Sequence, residues 1–151
     1  MLFRSGCEKF IKLFSNVKSN TDSGQFRAIQ KAGAFALDNY HLVDINRERY
    51  SRRLNLLVET LNEIGFKAIK PKGGFYAYVE IPKGTKDGII FNNAEEVCLY
   101  ILSKTLISTV PWDDCGSYLR FSVTYDADTI EDEINIMDEI KSRLLSLNLE
   151  F

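Results

Sequence analysis

Arg120 stands in the run Tyr118-Leu119-Arg120-Phe121-Ser122-Val123-Thr124, in which apolar and polar residues alternate. Alternation at period two places Leu119, Phe121 and Val123 on one face of a strand and Tyr118, Arg120, Ser122 and Thr124 on the other. A guanidinium on such a face presents a planar fork of donors that matches a carboxylate or phosphate through paired hydrogen bonds. The strand by itself leaves open the simpler reading, a solvated arginine on an exposed sheet face. A second feature with chemical potential is Gly73-Gly74, directly before Phe75 and Tyr76. It matches neither the Walker pattern nor Gly-x-Gly-x-x-Gly. It reads as a tight turn into a strand, or as bare backbone that lets a ligand approach Phe75 and Tyr76.

Acid–base and metal chemistry are poorly represented. Asp113-Asp114 falls in a loop and Glu95-Glu96 in the first turn of a helix, where negative charge suits the dipole. His41 is the one histidine, which excludes a histidine-rich metal site, and a Ser-His-Asp triad would have to run through it. Placed in a helix-to-helix connection, it reads as a surface or packing residue. Cys7, Cys98 and Cys115 are widely spaced with no Cys-x-x-Cys, a usage that fits a reducing cytosol better than disulfides or zinc. No metal site is expected. Trp112 reads as an anchoring core aromatic.

The whole composition narrows the field further. A chain of 151 residues fits one domain, or one domain with a piece of another, and 45% hydrophobic with 26% charged residues is ordinary for a globular protein. The net charge of −2 argues against nucleic acid or an anionic membrane as the main partner. No run approaches the roughly 18 apolar residues of a membrane span, and Met1–Gly6 lacks a secretory apolar core, so a cytoplasmic location is expected.

The elements that must position Arg120 follow from periodicity. A short helix is expected over 7–15, in a segment that ends in Ser19-Asn20-Thr21. Asp22 and Gln25 have capping-box spacing before a small-residue helix with Phe26, Ile29, Gly33, Ala36 and Leu37 on one face. A longer helix is expected from Asp44 to Ile64, striped by Leu54, Leu57, Val58, Leu61 and Ile64 and closed by Gly65. The charges of its first half, including Arg52-Arg53, read as a solvated face. Strands are expected over 66–70 and 75–81, then a helix opened by Asn93 and Glu96, a strand over 107–110, and the Arg120 strand. A final helix is expected from a capping box at Asp128 and Glu131, with Ile130, Ile134, Met137, Ile140, Leu144 and Leu147 along one side. From residue 44 onward this order gives an α+β layer, a small, mainly antiparallel sheet covered by helices on one face.

Five short motifs now fall in one order. They are Lys18-Ser19-Asn20-Thr21-Asp22-Ser23-Gly24-Gln25-Phe26 leading a helix; Tyr50-x-Arg52-Arg53; Pro71-x-Gly73-Gly74-Phe75-Tyr76; Thr109-Val110-Pro111 with Gly116; and Leu119-Arg120-Phe121-Ser122. Together they resemble the C-terminal part of a class I/II aminotransferase, a pyridoxal-phosphate enzyme of fold type I. The branch they resemble most holds LL-diaminopimelate and aspartate-type enzymes. The resemblance implies that Arg120 holds the substrate α-carboxylate and that Phe75, with Gly74, borders the substrate pocket. It implies that Ser19, Asn20 and Thr21 reach towards the partner subunit's active site in a homodimer. It implies that 1–43 end a large cofactor-binding domain and 44–151 form the small domain.

One departure bears on activity. Transamination needs a lysine that forms the Schiff base with the cofactor and carries a proton, and no lysine here matches that position. Arg4-Ser5-Gly6 resembles the phosphate-binding Arg-x-Gly but is out of register for it, Gly6 matching a later strand glycine. The expectation is a truncated transaminase acting on an amino acid and a 2-oxoacid, with pyridoxal 5'-phosphate in the full-length parent and no activity in this chain alone. The competing reading is a free-standing α+β module that binds a small carboxylate or a protein partner without catalysis.

Overall fold

A computed structural model describes residues 6–22 and 24–151, and of Leu42 the backbone only. The chain divides into two compact units, Met1–Asp44 and Ile45–Phe151.

The first unit contains helices α1 (Glu8–Thr21) and α2 (Arg27–Asp38). Helix α1 runs six residues beyond the expected end at residue 15, because Ser19, Asn20 and Thr21 form its last turn. Their side chains bond back to the helix: Ser19 Oγ and Asn20 Nδ2 donate to the Asn16 carbonyl at 3.0 and 2.8 Å, and Thr21 Oγ1 to that of Val17 at 2.9 Å. The expected Asp22–Gln25 capping box does not form. Asp22 instead closes α1, with its N–H on the Lys18 carbonyl and its carboxylate on the Lys18 amine, while Phe26 precedes α2 without a side-chain cap. Ser23 lies outside the described residues. Neither helix buries a residue.

Helix α3 spans Tyr40–Ile64, starting four residues before the expected Asp44, so that exposed His41 lies in its first turn rather than in a connection. Its C-terminus is a Schellman closure. Gly65 adopts φ +123, its N–H reaches the Leu61 carbonyl, and the Phe66 N–H bonds the same carbonyl at 3.0 Å. A side chain at Gly65 would be strained by that φ and would also meet the Phe151 ring at 2.7 Å.

Residues 66–70 are extended, as the alternation requires, and bury Phe66 and Ala68, but they are not a strand. The reason is Asn62, whose side chain takes both backbone bonds of Ala68: the Ala68 N–H donates to Oδ1 at 2.8 Å and Nδ2 donates to the Ala68 carbonyl at 3.1 Å. A side chain thus supplies what a neighbouring strand would.

The main sheet contains β1 (Tyr76–Glu80), β3 (Val110–Trp112) and β4 (Tyr118–Ser122), ordered β1-β4-β3 and antiparallel throughout. β3 starts three residues and ends two residues later than expected and contains Pro111, tolerated because this strand is at the edge of the sheet. A two-stranded ribbon of β2 (Gly84–Thr85) and β5 (Leu149–Glu150) has no counterpart in the expectation; two residues per strand carry no readable periodicity.

Helices α4 (Ala94–Thr105) and α5 (Ile130–Leu145) complete the layer. Asn93 caps α4 by accepting the Glu96 N–H at 2.9 Å, and Asp113 accepts the Ala94 N–H at 2.9 Å. The α5 capping box uses Thr129 and Asp132, one residue after the expected pair, since both registers carry a cap-competent residue three before an acid. Leu54, Leu57 and Leu61 of α3, Val97 and Ile101 of α4, and Met137 and Leu144 of α5 share one core cluster with Ala77, Val79, Leu119 and Phe121 of the sheet. Each of the large side chains among them contributes roughly 1.5–3 kcal/mol by its burial. The opposite face of the sheet carries Tyr76, Tyr78, Tyr118 and Arg120.

Candidate functional site

The sheet register brings Arg120 opposite Tyr78 of β1 and Val110 of β3. Its guanidinium carbon lies 4.3 Å from the centroid of the Tyr76 ring and 5.6 Å from that of Trp112. Trp112 meets Tyr78 edge to face at 5.9 Å, Tyr76 meets Phe75 at 4.6 Å, and Phe75 meets Tyr50 of α3 at 5.7 Å. Arg120 therefore sits within a row of aromatic rings. Its Nε is buried and has no hydrogen-bond partner, and among the described residues the side chain makes no ion pair. A positive charge held against ring faces with its Nε unbonded has the chemistry to receive an anion.

Phe75, 37% exposed, joins Arg120 through Tyr76, and its carbonyl accepts the Val123 N–H at 3.1 Å, which extends the β1–β4 ladder. Gly74 precedes it at φ +82, yet a Cβ there would meet nothing within 4 Å. Within the chain, then, glycine answers a backbone conformation rather than a lack of space. Ser19, Asn20 and Thr21 belong to the first unit, at the exposed end of α1. Arg4 and Ser5 of the near-match to Arg-x-Gly lie outside the described residues.

Trp112 is not a core residue. It is 38% exposed and lies against Arg120, because β3 begins at Val110 and turns Trp112 to the polar face. No period marks so short a strand, so the sequence reveals the residue type there but not its direction.

Arg53 is not part of a solvated face, contrary to the reading of its charge run, and Arg52, though partly exposed, turns its guanidinium to the same acid, Glu133. Arg53 is 5% exposed and Glu133 of α5 is 2% exposed. Arg53 Nε donates to Glu133 Oε1 at 2.7 Å, and Arg52 donates through Nε and Nη2 to the two carboxylate oxygens at 2.7 and 3.0 Å. Arg53 also donates to the carbonyls of Val123, Tyr125 and Ala127 and stacks on the Tyr125 ring at 4.5 Å. Hydrogen bonds from Arg52 outweigh burial and, with Arg53, hold the Glu133 carboxyl down at about 2. The cluster ties α3 and α5 to the segment that follows β4. Burial pushes the Tyr125 phenol and the Cys98 thiol up, and neither carries an activated proton or thiolate.

The residues described do not fit a pyridoxal phosphate cofactor by themselves. Bonding that cofactor calls for a lysine amine sheltered from water, and none of the described lysines is buried. Lys18 pairs with Asp22, Lys141 with Glu63, Lys70 bonds Ser51 and Lys83 the Phe151 carbonyl. The Glu63 bond moves the Lys141 amine up, away from neutrality. Among the described residues no cluster of His, Cys, Asp and Glu is arranged for a metal ion, and no helix is long and apolar enough to cross a membrane.

The family model for aminotransferase class I and II matches residues 5–135. An LL-diaminopimelate aminotransferase of Methanococcus maripaludis is 43% identical over 156 residues, covering all of this chain and 38% of that protein. The Methanocaldococcus jannaschii LL-diaminopimelate aminotransferase is likewise 43% identical, over 159 residues and 38% of its length. Among solved structures, an aspartate aminotransferase of Rhizobium meliloti superimposes with a TM-score of 0.76 at 24% identity, over 96% of this chain and 37% of that one. A Thermus thermophilus aspartate aminotransferase mutant gives 0.68 at 26% identity, over 91% and 35%. The chain belongs to the class I and II aminotransferase family, with the fold of fold type I enzymes. It spans rather more than a third of the length of the curated relatives it matches.

Proposed function

We propose that this chain is the substrate-carboxylate-binding portion of a transaminase that moves an amino group between an amino acid and a 2-oxoacid. The observation that carries the proposal is Arg120, a guanidinium set among aromatic rings with no acidic partner among the described residues. In this reading its fork grips the α-carboxylate, Phe75 and Gly74 border the pocket, and residues 44–151 are the small domain. Residues 1–43 are the end of the large domain. The exposed apolar side chains of α1 and α2, among them Phe10, Phe14, Ile29 and Phe35, support that last assignment. Ser19, Asn20 and Thr21 approach the partner subunit's site in a cytoplasmic homodimer. The parent enzyme takes pyridoxal phosphate, which stabilises negative charge at the substrate Cα when bound. The 43% identity to LL-diaminopimelate aminotransferases favours a diaminopimelate-type amino donor.

The chain alone is proposed to be inactive, because none of its described lysines is placed for cofactor bonding. Purified chain supplied with pyridoxal phosphate, LL-diaminopimelate and 2-oxoglutarate is expected to form no glutamate above the rate of free cofactor. Turnover that exceeds this rate and scales with chain concentration would contradict the assignment.

A further inference from the structure

We infer that Tyr76 and Trp112 are positioning residues for Arg120, holding its guanidinium in one orientation with the fork free for a planar carboxylate. The inference deepens the proposed carboxylate role of Arg120 and rests on it. The register explains the arrangement. Tyr76 pairs with Ser122 and Trp112 with Tyr118, so the two rings lie on opposite strands and on opposite sides of Arg120 along β4. The arginine carbon is within cation–π range of both, at 4.3 and 5.6 Å. Neither ring stands alone. Tyr78 braces Trp112 edge to face, and Phe75 with Tyr50 backs Tyr76.

An arginine can also be oriented by a carboxylate, as Glu133 does for Arg52 and Arg53 in this same unit. That solution offsets part of the charge and takes up the donors. Ring faces orient the guanidinium while leaving its full charge to the ligand, and the buried, unbonded Nε of Arg120 fits a group fixed by stacking rather than by acceptors. The two arginine sites of one unit thus use opposite means: acid pairing where the charge is structural, aromatic clamping where it must stay available.

The test follows arginine side-chain resonances by NMR while the full chain is titrated with succinate. The Arg120 Nε–H signal is expected to shift saturably in the wild-type chain. Tyr76→Leu and Trp112→Leu are expected to weaken binding roughly three- to tenfold each, while Tyr76→Phe and Trp112→Phe, which keep a ring face, stay within about twofold. Backbone amide spectra report whether each variant retains the fold. A measurement on the unmodified chain stands beside these: rotation about the Arg120 Nε–Cζ bond is expected to be slower than for exposed Arg27. Leucine variants that bind like wild type, or an Arg120 rotation as fast as that of Arg27, overturn the clamp. If Arg120→Met still abolishes binding in that case, the carboxylate role survives without it. If Arg120→Met binds succinate as well as wild type, or wild type gives no saturable shift, the carboxylate role fails and the clamp with it.

Discussion

At the scale of single residues, the two arginine sites differ in how far sequence reveals them. Arg120 is legible because a five-residue strand with buried alternate positions fixes the face of every side chain, so its place on the polar face follows from its parity. Arg53 is not, because its partner Glu133 lies 80 residues away and a run of charges gives no sign of which member turns inward. Glu133 carries a pH prediction. Its carboxyl is lowered from 4.5 to about 2 in the folded chain. A depressed carboxyl contributes stability that is fully present above its unfolded value and is lost as the pH falls through the folded one. The loss therefore falls between about pH 5 and pH 2 and amounts to roughly 2–3 kcal/mol. Glu133→Gln is expected to cost about 3–5 kcal/mol at neutral pH, since it leaves buried Arg53 without its counter-charge. It is also expected to flatten this acid limb. Urea unfolding of both proteins from pH 7 to pH 2 measures each effect, and parallel acid limbs would contradict the assignment.

At the scale of elements, most helix and strand signals hold, and the differences lie at boundaries, in the strand expected over 66–70, in the capping box expected at Asp22 and Gln25, and in the β2–β5 ribbon. Asn93 caps α4 where its type and the following acidic residues place it, whereas α5 starts one residue late because Asp128 and Thr129 are equivalent as caps. Residues 66–70 have the alternation of a strand but find their backbone partners in the Asn62 side chain, a choice that only the folded arrangement decides. Gly65 offers the sharpest test of an element's end. Its left-handed φ opposes any side chain, and the Phe151 ring would lie 2.7 Å from an added Cβ. Gly65→Ala is expected to lower stability by more than about 1 kcal/mol. The neighbouring exposed change Glu63→Ala, which loses only the surface pair with Lys141, is expected to cost under about 1 kcal/mol. Denaturant midpoints for the two variants decide this, and equal midpoints would rule out the strained closure.

At the scale of the whole molecule, the α+β layer and the family are both readable in the sequence, because the helix stripes and the five ordered motifs extend along most of the chain. The candidate site is readable only in part. Arg120, Phe75 and Gly74 stand out, but Trp112 reads as core, since three residues of edge strand are too few to show a period. That residue supplies the most direct measurement. Trp112 is the one tryptophan of the chain, and its ring lies 5.6 Å from the Arg120 guanidinium carbon. Its fluorescence can therefore report what Arg120 binds. Titration of the chain with 2-oxoglutarate at low ionic strength is expected to give a saturable change in emission that disappears in Arg120→Met. The same saturable change in both proteins, or none in the wild type, would contradict the carboxylate-binding role proposed for Arg120.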